Sequence, residues 1–432
     1  PIFNEKNRNS NRSIGNWILI IGYSMEIKNI KHVPFIVCHT LRGAHIALLI
    51  LIFLRTGDAY AQIPGMAPQK PYSLSGYVKY LSQAVVPRSD ATAWDHLIHQ
   101  RFDFEYRWAD AFSFNAGMRN RVIWGDSLEI PAFEDLVGTD PGYFDLTWNW
   151  LSKDNVLGNT TFDRLYLDWR AHNWKLRAGR QRINWGMATL WNPNDLFNVY
   201  SMFDFDYEER PGTDAVMLSR SLGFASRADA IWGTGEDWDE TSLAGRYRFN
   251  TTGFDLQILG GKQSVDFVIG AGFSGSVWGA GLNGEISYFD PYEDEWKGVA
   301  QAQTTVATLE TDYSVVGRRN LTLKASVLYI SNPEDPGNTL IYLNKPLTAK
   351  TISFTRWTGY GDLSFDITAL SRQTVGAAAY DDGSWFLTAT NAYSLADEWQ
   401  FMLVWQHFDG PGDSLFGENP ADMIFARLRW SF

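Results

Sequence analysis

Residues 421–432 read Ala-Asp-Met-Ile-Phe-Ala-Arg-Leu-Arg-Trp-Ser-Phe. In an extended strand, side chains two apart share a face. Ile424, Ala426, Leu428, Trp430 and Phe432 therefore fall on one face, and Arg427, Arg429 and Ser431 on the other. Such a strand separates an apolar medium from a wet one. The same period recurs upstream, where Phe102, Phe104, Tyr106 and Trp108 oppose Arg101, Asp103, Glu105 and Arg107. Leu321, Leu323, Ala325, Val327 and Tyr329 oppose Thr322, Lys324 and Ser326. Leu363, Phe365, Ile367 and Ala369 oppose Ser364, Asp366 and Thr368. Repeated segments of about ten alternating residues, separated by turn residues, are the signature of strands that cross a membrane as a closed barrel. The competing reading is a secreted β-sandwich, whose apolar rows would meet a second sheet.

Connection lengths separate the two. Short turns are predicted near 109–110, 172–173, 221–223, 251–253, 275–279, 317–320, 360–362 and 396–397. Between them lie longer connections at 87–96, 125–160, 186–211, 233–239, 289–299, 332–347, 374–382 and 409–420, with a tight one only near Gly261. Short periplasmic turns alternating with long extracellular loops produce this pattern. Eight turns and nine loops predict an all-β, transmembrane antiparallel barrel of about 18 strands, with 16 as second choice. Nineteen Trp and nineteen Tyr suit the aromatic girdles of such a barrel, although a carbohydrate-binding β-protein would share that composition.

Residues 25–61 read as a secretory signal peptide. Lys28, Lys31 and Arg42 precede the apolar run Ala47–Leu54, and Ala59-Tyr60-Ala61 forms a cleavage site before Gln62. That run is far short of the ~20 residues a spanning helix needs. Met25 is the expected start, residues 1–24 the expected upstream or non-native sequence, and 62–432 one barrel domain. The few residues between Gln62 and Ser73 leave no room for a plug domain, so an energised, plugged transporter is not expected. The single cysteine, Cys38, allows no intramolecular disulfide. No cofactor and no metal are expected. A net charge of -12 argues against a nucleic-acid partner.

Two features resemble known families. A last strand with alternate apolar residues and a terminal aromatic is similar to the assembly signal of Gram-negative outer-membrane barrels, which here implies Trp430 and Phe432 as that signal. Leu176-Arg177-Ala178-Gly179-Arg180-Gln181-Arg182-Ile183-Asn184-Trp185-Gly186, followed by Trp191-Asn192-Pro193-Asn194-Asp195, resembles porin-like families that include alginate-export channels. The resemblance covers some 40 residues and implies a monomeric channel of about this strand number. It does not carry alginate over as substrate.

The chemistry of a channel is the charge pattern of its lumen. Turning each polar face inward makes Lys79, Arg101, Arg107, Arg119, Arg121, Arg164, Arg170, Arg180, Arg182, Arg227, Arg246, Arg248, Arg427 and Arg429 candidate pore-lining cations. They form one arc, running from the last strand through the first eight. Asp255, Asp266, Glu285, Glu310, Asp312 and Asp366 are inward acids on the later strands, while Asp103, Glu105, Asp168 and Asp229 fall within the basic arc. Such a wall sets up a transverse field that orients dipolar solutes; pairing between neighbouring strands is the plainer account of any one residue. In strand 174–185, alternation puts Arg180 and Arg182 on one face and turns Lys175 and Arg177 to lipid, unless a bulge near Gly179 resets the phase. Loop 186–211 carries Asp195, Asp204, Asp206, Glu208 and Glu209 among aromatics. Folded inward, its carboxylates would face the Arg-rich wall and form a constriction; lying outside the rim, they would not.

No G-x-S-x-G, H-E-x-x-H or cysteine nucleophile is present, so an enzyme is not expected. The expected function is passive passage of small polar or charged solutes across the outer membrane. The alternatives are a barrel that exports or takes up a polymer or solute with a partner, and a non-conducting structural or adhesive barrel. Expected partners are outer-membrane lipid and lipopolysaccharide, the barrel assembly machinery and small polar solutes.

Overall fold

A computed structural model describes residues 70–432, apart from 131, 132, 154, 200, 207–210, 316, 318 and 335–346. The expected signal peptide and Cys38 lie outside the described residues. Long alternating segments become strands in chain order: β1 Tyr72–Pro87, β2 Ala93–Ala109, β3 Phe112–Gly125, β4 Thr147–Lys153, β5 Val156–Ala171 and β6 Trp174–Gln181. Then come β7 Thr213–Ser221, β8 Arg227–Gly233, β9 Ser242–Thr251, β10 Phe254–Gln263, β11 Asp266–Val277 and β12 Ala280–Pro291. A small hairpin, β13 Glu295–Trp296 and β14 Val299–Ala300, decorates one loop. The wall resumes with β15 Thr304–Val315, β16 Leu321–Ile330, β17 Trp357–Thr368 and β18 Ser371–Tyr380. It ends with β19 Trp385–Ala396, β20 Trp399–Asp409 and β21 Ala421–Ser431.

Nineteen strands form one antiparallel sheet, and eighteen of them make the closed barrel. Closure comes from β21 pairing with β1, with Arg429 opposite Lys79 and Trp430 opposite Val78. A closed sheet has no edge, which is what a backbone in hydrocarbon requires. The odd strand is β4. It pairs with the upper half of β5, Thr147 opposite Thr161, while β6 pairs only with the lower half, Leu165 opposite Arg180. β4 thus occupies the wall position that β6 vacates.

The outer face settles barrel against sandwich. Ile258, Ile269, Ile286, Leu309, Leu323 and Leu403 are exposed in mid-strand. Trp94, Trp150, Trp232 and Trp357 ring the long-loop end, and Tyr72, Trp174, Tyr313, Trp399 and Trp430 the short-turn end. A belt this apolar faces lipid rather than water.

Three expected boundaries shift. The turn placed at 360–362 lies inside β17, and the loop placed at 374–382 is largely β18. Gly359, Gly361 and Gly376 imitate turn punctuation there. At Gly376 the reason is space, since a Cβ would approach the Tyr360 hydroxyl to 2.7 Å. The tight connection falls after Gln263 rather than at Gly261.

The interior is not an open tube. Phe133 and Val137, on the short helix α1 Phe133–Gly138, are buried with Leu81, Leu97, Ile123 and Leu157. A second cluster joins Trp185, Trp191 and Leu196 to Met217, Ile231 and Leu259.

Candidate permeation site in the barrel lumen

At Gln181 the chain leaves the wall, and the described residues between 182 and 206 turn into the lumen. Ile183, Trp185 and Leu196 bury their apolar surface against the inward residues Ala215, Met217, Ile231, Ala244 and Leu259 of β7 to β10. The Gln257 side-chain amide donates to the Trp185 carbonyl at 2.7 Å. Further along, Phe203 is enclosed by Phe386, Phe408 and Phe416, with ring centroids 5.1, 5.4 and 5.9 Å away. Phe205 lies 4.4 Å from the Phe425 ring. A segment that touches β7 to β10 at one end and β19 to β21 at the other crosses the barrel.

Its acidic tip meets the basic wall. Lys79 Nζ donates to Asp206 at 2.5 Å, and Arg427 donates to the other carboxylate oxygen at 2.9 Å. Registry explains the wall. Arg429, Lys79, His99 and Arg121 lie directly opposite one another across β21, β1, β2 and β3, and Arg101 faces Arg119 one step lower. Arg101 holds Asp103 at 2.8 Å and Asp163 at 2.6 Å. Arg121 donates to Asn159 at 2.6 Å, and the Arg429 guanidinium lies 4.4 Å over the Tyr77 ring. Asp204, two residues before Asp206, has its carboxyl pushed up to about 7 by burial and by the Asp206 charge, against the pull of Lys79 and Arg119. Asp195 is fully buried and accepts from the Trp185 backbone amide at 3.4 Å. Glu208 and Glu209 lie outside the described residues.

The other sequence candidates are distributed as follows. Arg180 is 2% exposed at the seam where β6 ends, bonded to Asp214 at 2.7 Å and to Asp140 at 2.8 Å. Arg182 is half-buried at the start of the loop. Arg164 donates to the Asp163 carbonyl at 2.6 Å, beside the bulge that breaks register between Gly117 and Met118. Arg227 and Arg246 share Asp229, each at 2.7 Å, and Arg248 is exposed opposite Arg227. Arg107 and Arg170 are exposed near the short-turn end, beside Glu105 and Asp168. Asp255 bonds Asn250, Asp266 bonds Lys350 at 2.8 Å, Asp366 bonds Arg372 at 2.8 Å, and Asp312 lies opposite Lys324. Glu285 and Glu310 point inward but are covered by the loop, at 3% and 0% exposure.

Strict alternation fails within β6. Lys175 and Arg177 do not face lipid: both reach Asp168, at 3.5 and 2.7 Å, on the lumen side. The phase resets at Gly179, whose φ of 118° suits glycine alone. A Cβ there would run into the Leu165 carbonyl.

Asp163, Asp214 and Gln257 were not singled out from sequence. Nothing local marks them, because each acquires its role from a residue dozens of positions away. Among the described residues, no group of three or more His, Cys, Asp or Glu side chains is arranged to hold a metal ion.

No family model and no curated protein sequence matches the chain. Solved structures do. OpdQ of Pseudomonas aeruginosa aligns with a TM-score of 0.54 at 10% identity, covering 84% of this chain and 99% of its own. OccAB4 of Acinetobacter baumannii aligns at 0.52 and 8% identity, covering 83% and 98%. The outer membrane protein OprD from Pseudomonas aeruginosa aligns at 0.50 and 9%, covering 83% and 94%. The chain has the outer-membrane porin fold.

Proposed function

We propose that this protein is an outer-membrane channel for passive diffusion of small polar or charged solutes, and that it performs no catalysis. The observation that carries this reading is the lumen-crossing loop whose Asp206 joins Lys79 and Arg427. A segment inside a barrel, bearing carboxylates against a row of cations, makes a charged aperture rather than a sealed core. Residues 25–61 direct export, Trp430 and Phe432 serve recognition by the barrel assembly machinery, and the apolar belt contacts lipid and lipopolysaccharide. Of the inward cations of β21, β1, β2 and β3, Arg429 lines the path together with Asp204 and Asp206, while Arg101, Arg119 and Arg121 are buried in the wall behind it. Lumen charge of either sign tunes which ions pass.

Purified protein in a planar bilayer tests the proposal. Discrete ohmic conductance steps are expected, with a reversal potential in a salt gradient that moves when Arg429 is replaced by Gln. Silence at all voltages from correctly folded protein overturns the channel reading in favour of a non-conducting barrel.

A further inference from the structure

We infer that Glu285 and Glu310 are positioning residues that clamp the lumen loop to the wall and hold the aperture at one width. The inference rests on the reading of that loop as the constriction. Glu285, on β12, accepts backbone N–H groups from Met187, from Ala188 at 2.7 Å and from Asn194 at 2.9 Å. Glu310, on β15, accepts Thr189 N–H and Oγ1–H, both at 3.0 Å, and Leu190 N–H at 3.1 Å. Lys324 on β16 donates to the same Thr189 hydroxyl at 2.5 Å. Asn194 adds a bond to the Ala271 carbonyl at 2.9 Å and receives one from Ser287 at 2.8 Å.

Residues 187–194 form no strand, so their amides have no ladder to join, and buried N–H groups must find acceptors. Two carboxylates supply them, and charge-assisted bonds are the stronger kind. Both side chains are consumed in this way and nearly closed to solvent. Their negative charge is therefore spent on the loop and not presented to a passing ion. Gln is nearly isosteric with Glu but carries an NH2 in place of one acceptor oxygen. In either position it would set donor against donor and open the clamp while leaving the volume unchanged.

The test compares wild type with Glu285→Gln, Glu310→Gln and the double variant, each confirmed as folded by heat-modifiable mobility. Two readouts are taken: single-channel behaviour in a planar bilayer, and the labelling rate of Met187→Cys by a membrane-impermeant maleimide. Opening the clamp is expected to raise conductance roughly twofold or more, as for a pore that loses an inward constriction, with noisier open levels, faster labelling and an unchanged reversal potential. A shift of reversal potential alone, with conductance and labelling unchanged, would assign these carboxylates to ion selection and overturn the clamp. A wild type that is silent in the bilayer removes the channel reading, yet the labelling rates still decide the clamp. If the double variant does not assemble, Asn194→Ala loosens the same turn through its contacts with Ala271 and Ser287, and unchanged labelling there counts against the inference.

Discussion

Arg180 spends its guanidinium wholly on protein groups: two bonds to Asp214, one to Asp140, and one each to the carbonyls of Phe144 and Phe162. It seals the gap that opens where β6 leaves the wall, and its neutralisation would strand two buried carboxylates. Arg180→Ala is therefore expected to cost about 3–5 kcal/mol of stability. Arg180→Lys should recover only part, because an ammonium lacks the planar fork; urea-unfolding midpoints followed by tryptophan fluorescence measure both, and a loss below about 1 kcal/mol would contradict the seal. Asp204 is the residue to read by pH. Its folded value of about 7 lies above the ordinary 3.8, so the folded protein retains a proton that an unfolded chain has released between those values. Its stabilising contribution is whole below about pH 4 and lost as pH rises through about 7. Over the same interval near pH 7 the aperture gains a negative charge, and the reversal potential in a salt gradient should shift towards cation preference between about pH 6 and 8. Asp204→Asn should flatten that shift; an identical shift in the variant would assign it elsewhere.

At the scale of elements, the lumen loop and β6 show how local pattern and tertiary context divide the work. The stretch 174–185 reads as one alternating strand, yet only Trp174–Gln181 pairs in the wall, and the remainder packs its Ile183 and Trp185 inside the barrel. A strict period of two would turn Lys175 and Arg177 to lipid; of the two readings the sequence left open, the reset near Gly179 holds, and its cause is a single positive-φ residue. Replacement of Gly179 by Ala is expected to cost about 1–3 kcal/mol through backbone strain, with the clash against Leu165 added; an unfolding midpoint equal to wild type would disprove a strained position. Loop 186–211 was legible as long, acidic and aromatic. Its direction was not, because that depends on Phe203 finding Phe386, Phe408 and Phe416, which lie far away in sequence.

For the whole molecule, the seam between β1 and β21 converts a ribbon into a pore wall. Phe432 exchanges backbone bonds with Gly76 at 2.9 and 3.0 Å, and its ring sits 6.0 Å from Phe102 and 5.2 Å from Trp430. Truncating that ring removes contacts on both sides of the seam. Phe432→Ala is accordingly expected to lower the yield of heat-modifiable barrel and the unfolding midpoint together; if wild-type yield and stability both persist, the seam does not depend on it.

The alternation of Ile424, Ala426, Leu428, Trp430 and Phe432 against Arg427 and Arg429, repeated along the chain and read with the connection lengths, sufficed to establish the barrel, its apolar-out rule and its 18 strands. Each of those follows from a period-two pattern and a connection length, which are local quantities. Which inward charges stay open to the lumen was decided by tertiary structure alone. Arg180 is enclosed by Asp140 and Asp214, Arg427 and Lys79 meet Asp206, and Glu285 and Glu310 are covered by loop amides. These partners are separated by 34 to 221 positions, and no repeat of the backbone encodes such distances. Only closure of the sheet and the inward fold of one loop bring them together.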